Sequence, residues 1–115
     1  MIWKIGPLSL QKNVIAFIRD LPNSMTNNEM AKQLIRSAGS VGANYIEANE
    51  AISKKDFIHR IKICRKEAKE SRYWLQLIEC TANENEIQNK LIQESTELMK
   101  IFGAILEKSV HKNAS

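Results

Sequence analysis

At 115 residues with 43% apolar side chains, the chain has room for one domain with a core, 1–115, and not for two. Two prolines and four glycines are too few for the turns of a sheet protein this small, so the expectation is an all-α fold of long helices. Net charge is +4, and the segment from Ser53 to Thr81 holds all of that excess.

The N-terminal run through Leu10 is apolar but broken by Lys4, Gly6 and Pro7, which is too short and interrupted for a secretory leader. A first helix is predicted from about Leu8 to Asp20. Leu10, Val14, Phe17, Ile18 and Leu21 fall on one face, and Pro22 with Asn23 ends it. Thr26 and Glu29 make a capping-box pair that starts a second helix. Its stripe is Met30, Leu34, Ala38, Val41, Tyr45, Ala48 and Ile52, in steps of three and four.

Ser53 and Asp56 are expected to cap the third helix. Phe57, Ile61, Cys64, Ala68, Ser71, Leu75 and Ile78 then recur as a seam for near-parallel neighbours, in a helix expected to reach Thr81. Ala82 to Asn85 is expected to be a turn. The fourth helix carries Ile87, Leu91, Leu98, Phe102 and Ile105, and the tail 111–115 is expected to fray. Four amphipathic helices with short connections predict an antiparallel up-down-up-down four-helix bundle.

The second helix is apolar or small over more than its core stripe. Ile35, Gly39, Gly42 and Ile46 form a second arc, and Ile63, Trp74 and Leu77 lie on a flank of the third helix. Interior glycines cost about 1 kcal/mol each relative to alanine, so they imply close helix approach. A second apolar face on a bundle helix points to another copy of the chain, so these residues are the expected oligomer interface. The plainer alternative is a widened monomer core.

Lys55, Lys62, Lys66, Lys69 and Tyr73 lie within about 60° of one another on the third helix, opposite its seam, with Arg65 and Arg72 flanking. Phosphate contact is the functional reading: such lysines displace counterions from RNA or DNA, and Tyr73 could stack on a base. The alternative is a solvated face that keeps a helical assembly soluble, balanced by Glu67 and Glu70. Ser40, Asn44 and Glu47 share a polar edge of the second helix and are expected to form a register-fixing network.

Little points to catalysis. Glu47 and Glu50 are three apart but lack a second catalytic group, and His59 and His111 are expected to be plain surface residues. Cys64 reads as a small core residue and Cys80 lies near the outer face, a pair with neither disulfide-framework nor metal spacing, suited to a reduced cytoplasm. No phosphate loop, nucleophile elbow or HExxH occurs, so no enzyme, metal or cofactor is expected, and no segment has the length of a membrane span.

The segment RSAGSVGANYIEANE and the basic helix after it resemble the four-helix-bundle family encoded in intervening sequences of bacterial 23S rRNA genes. The resemblance runs from about Leu10 to Leu106, and its specific part is Ser40, Val41, Ala43, Asn44 and Glu47. Where that pattern usually has Ile and Ala before the Glu and Gly after it, this chain has Tyr45, Ile46 and Ala48, so the helix is expected to run on past Glu47. The resemblance implies an antiparallel bundle, a homopentamer and no known catalysis. A related branch, the accessory protein of diversity-generating retroelements, binds RNA and a reverse transcriptase, and this implies the same partner classes here. The expectation is therefore a non-enzymatic homo-oligomer that binds RNA or another nucleic acid through the third helix. The alternative is a protein-interaction scaffold.

Overall fold

The computed structural model describes residues 6–114, with side chains to residue 110. Four helices follow one another: α1 (Leu10–Arg19), α2 (Met25–Asn49), α3 (Lys54–Leu77) and α4 (Ala82–Ala114). Consecutive helices pack side by side and α1 closes the ring against α4, while across the diagonal α2 and α4 meet through side chains, the Tyr45 and Phe102 rings lying 6.3 Å apart. That is the square section of an antiparallel up-down-up-down four-helix bundle. Its long axis, 51 Å, is about what a helix of 33 residues spans at 1.5 Å per residue, so α4 sets the length.

The helix ends show where sequence signals compete. α2 is capped by Ser24, whose hydroxyl accepts the Asn27 amide at 3.0 Å, and not by Thr26. The reason is tertiary. The Asn27 side chain donates to the carbonyls of Pro22 and Glu79 and accepts the Glu79 amide at 3.1 Å, which fastens the start of α2 to the α3–α4 connection. Thr26 and Glu29 consequently lie inside the helix, where Glu29 meets Lys32. Ser53 caps α3 as expected, accepting the Asp56 amide at 3.0 Å.

Residues 82–85, expected to be a turn, are the first turn of α4. The Thr81 carbonyl accepts the Glu84 and Asn85 amides, while the Glu84 carboxylate takes the Thr81 amide and hydroxyl. α3 stops at Leu77 because Ile78 turns extended, short of Thr81. Its freed carbonyls are met from α4: the Gln88 amide donates to Leu75 and Ile78, each at 2.8 Å. At the other end, α4 stays helical through most of the segment expected to fray, while the His111 side chain and Ser115 lie outside what is described.

The core follows the predicted stripes. Leu10, Val14, Phe17, Leu34, Ala38, Val41, Ile61, Cys64, Leu75, Leu98 and Phe102 are buried. Ile52 and Ile87 depart from this: Ile52 is 97% exposed in the α2–α3 connection because α2 ends at Asn49, and Ile87 is exposed because Gln88 beside it takes the inward place and donates to the α3 carbonyls. Between α2 and α3 the Ser71 hydroxyl bridges the Ser37 hydroxyl and the Glu67 carbonyl, so two small polar residues sit buried without orphaned groups. α2 runs past Glu47, as alanine in place of glycine at position 48 predicts.

Candidate nucleic-acid interface

The basic residues of α3 are placed by the seam on its opposite side. Burying Ile61, Cys64, Ala68 and Leu75 turns Lys55, Lys62, Lys66 and Lys69 outward, and all four are exposed. Lys62, Arg65, Lys66 and Lys69 line one open groove of about 470 Å³, completed by Met99 and Leu106 of α4. Lys62 also borders a second concavity with Lys55, Ile58 and His59. The sequence-predicted cations are thus brought together along one side of the bundle.

Among the described residues, Lys55, Lys62, Arg65, Lys66 and Lys69 make no ion pair or hydrogen bond. The expected balance by Glu67 and Glu70 does not occur. Both carboxylates turn to α2, where Arg36 pairs with Glu67 at 3.3 Å and with Glu70. Asp56 lies beside Arg60. The acids of α3 are therefore spent on its α2 side, and the cationic side is left uncompensated.

Arg72 departs from the group. It is half-buried and its guanidinium donates to the Thr96 hydroxyl at 3.5 Å, across the α3–α4 seam. Tyr73 is 54% exposed at the end of the face, its ring edge-on to Trp74 with centroids 5.0 Å apart. Trp74 is half-buried, and its indole N–H donates to Glu70 at 3.3 Å.

The expected oligomer interface is largely occupied from within the chain. A Cβ on Gly39 would stand 2.3 Å from the Gln11 amide nitrogen, which donates to the Ile35 carbonyl at 3.3 Å. A Cβ on Gly42 would stand 3.3 Å from the Pro7 carbonyl oxygen. The close approach that these glycines predict is thus between α2 and α1 with the residues just before it. Ile35 packs on the core, and Ile63 is half-buried. Only Ile46, 52% exposed, and Leu77, 42% exposed, stay largely open among the residues expected to meet another copy.

Ser40 and Asn44 do form a network. The Asn44 amide donates to the Ser40 carbonyl and hydroxyl, and its oxygen accepts Arg60 at 3.0 Å, tying α2 to α3. Glu47 is not part of it: among the described residues its exposed side chain makes no hydrogen bond or ion pair. Its place is taken by Arg60 of α3.

Glu94 on α4, outside the residues expected from the sequence, is 2% exposed. Its carboxylate accepts the Asn13 amide at 3.2 and 3.4 Å and the Gly6 backbone N–H. Burial pushes its pKa up, and these two donors offset part of that. A signal was present: the apolar stripe of α4 skips a full turn between Leu91 and Leu98, where Glu94 and Ser95 lie.

Among the described residues, no cluster of three or more histidine, cysteine or acidic side chains is arranged for a metal, and no helix is long and apolar enough to cross a membrane.

No curated protein matches the chain. Among solved structures, the chain is similar to a protein of unknown function from the S23 ribosomal protein family of Bacteroides thetaiotaomicron. The two are 28% identical with a TM-score of 0.63, over 84% of this chain and 97% of that one. The family model for 23S rRNA-intervening sequence proteins matches residues 2–104. The bundle, the structural likeness and the family match agree, and the chain belongs to the 23S rRNA-intervening sequence protein family.

Proposed function

We propose that this protein is a non-enzymatic helical bundle of the cytoplasm that self-associates and binds RNA or another nucleic acid through the outer face of α3. One observation carries the reading: Lys62, Arg65, Lys66 and Lys69 share a groove without an acid among them, while Glu67 and Glu70 are held away by Arg36. A merely solvated face usually intersperses both signs of charge. Like-charged neighbours four residues apart, such as Lys62 and Lys66, cost a few tenths of a kcal/mol, and a polyanion relieves that cost.

Self-association draws on the apolar surface that α1 leaves open. Ile46 sits beside Gly42 and Ala43 in a shallow recess that also takes in Pro7 and Leu8, and both Ile46 and Leu8 are exposed. Light scattering on a sizing column tests it. A single species of 13.1 kDa at micromolar concentration overturns this part.

For binding, affinity for RNA should fall steeply between low and physiological salt, because each phosphate contact releases counterions. The triple change Lys62→Glu, Lys66→Glu, Lys69→Glu should abolish it while circular dichroism shows an intact bundle. RNA binding that survives the triple change overturns the assignment of this face. Binding insensitive to salt points to a protein-docking scaffold instead.

A further inference from the structure

If the α3 face is the nucleic-acid surface, its geometry points to a double-helical ligand gripped by its phosphate rails, not a single strand held by its bases. Proteins that hold single strands without sequence preference stack successive bases on aromatic side chains inside a basic groove. Here the groove floor beneath Lys62, Arg65, Lys66 and Lys69 is Met99 and Leu106, which offer no ring. Among the described residues, the exposed aromatic side chains of α3 are the imidazole of His59, beside Lys55 and Lys62, and the ring of Tyr73. Tyr73 lies at one end of the basic run and is already engaged edge-on with Trp74, which is in turn tied to Glu70 on the α2 side. His59 and Tyr73 thus supply isolated platforms about 21 Å apart along the helix at 1.5 Å per residue, where a strand of several bases needs a continuous series.

The cations also stand on a single helix buttressed along its length by α2 and α4. From Lys55 to Lys69 the rise is about 21 Å at 1.5 Å per residue. Over that distance a duplex presents one charge per roughly 1.7 Å, about twice what one strand offers. A stiff, straight row of cations cannot bend to follow a flexible strand and recover the difference. It can seat a phosphate rail of a duplex, whose rigid backbone meets the open groove between α3 and α4 along its length. Lys55, Lys62, Lys66 and Lys69 are point charges suited to that rail, positioning the ligand without reading bases.

The test is fluorescence anisotropy on the full chain with three labelled probes of about 20 nucleotides or base pairs, at one salt concentration. They are an RNA duplex, the DNA duplex of the same sequence, and an unstructured oligouridine. At least one duplex is expected to bind about tenfold or more tighter than oligouridine, and the tighter of the two identifies the helical form preferred. Tyr73→Ala is expected to leave duplex affinity within about threefold. Oligouridine binding as tightly as the duplexes, or a loss of more than about tenfold for Tyr73→Ala on a duplex, overturns the duplex assignment and leaves the basic face standing. Absence of binding to all three probes overturns the proposed function as well.

Discussion

Arg36 on α2 reaches across to the Glu70 carboxylate of α3, so an acid four residues beyond Lys66 faces away from it. In a free helix Lys66 and Glu70 are an i,i+4 pair, and that pairing would lower the positive potential of the groove. Arg36 thus sets the charge of a face on which it does not lie.

The consequence is measurable by RNA titration. Arg36→Ala should weaken binding about two- to fourfold, the scale of an i,i+4 pair plus the lost charge. Adding Glu70→Gln should restore most of the affinity. A double variant as weak as the single one shows that Arg36 does not act through Glu70.

Gly39 reports on the α1–α2 contact. Gly39→Ala presses on the far end of the Gln11 side chain, which can swing aside at the expense of its bond to Ile35. Helix propensity gains about 1 kcal/mol and the lost bond costs about as much, so urea denaturation should show little net change. Gly39→Leu cannot be absorbed this way and should lower stability by about 2 kcal/mol or more as α1 is levered off.

Gln88 closes the end of α3. Gln88→Ala leaves the Leu75 and Ile78 carbonyls without their donor and should cost about 2 to 4 kcal/mol in chemical denaturation. A shift below about 0.5 kcal/mol means that solvent satisfies both groups.

The Glu94 carboxyl gives a pH signature. Its folded pKa is raised above the ordinary value, so between the two values the native state binds the extra proton. Stability contributed by Glu94 is fully present below the ordinary glutamate range and is lost as pH rises through the raised value. Glu94→Gln keeps an acceptor for Asn13 and carries no charge. Relative to the wild type, its melting temperature should therefore be higher at pH 7 than at pH 4. A difference independent of pH contradicts this.

Cys64 supplies a separate probe of core opening. Burial pushes its thiol up to about 11, and its Sγ lies 3.5 Å from the Val41 carbonyl oxygen. At pH 8 it should react with a thiol reagent only on unfolding, while Cys80, which is half-exposed, reacts first.

Much of this architecture could be read from periodicity, because apolar steps of three and four decide which side of a helix is buried whatever it packs against. The α3 seam is the clearest case. Its outward lysines followed from the same geometry, since the side opposite a seven-residue repeat has nowhere to go but solvent. What could not be read is which of two equivalent local signals prevails. Thr26 with Glu29 and Thr81 with Glu84 have the same spacing, yet only the second starts a helix, because Asn27 fastens the chain to Glu79 and fixes the cap at Ser24. The partner of a close-approach glycine is equally hidden: small residues at 39 and 42 announce a neighbour without saying whether it is α1 or another copy. The turn skipped between Leu91 and Leu98 marks where Glu94 lies, but nothing local names its partner Asn13.

α1 has ten residues and lies beside the first half of α2, whereas α4 has thirty-three. Among the described residues the rod is therefore four helices thick near Asn27 and Gln88, and thinner toward the α2–α3 connection. Thermal breathing should be graded along it, with amide protons around Glu50 exchanging sooner than those around Leu91. The molecule has a firm heel and a yielding toe.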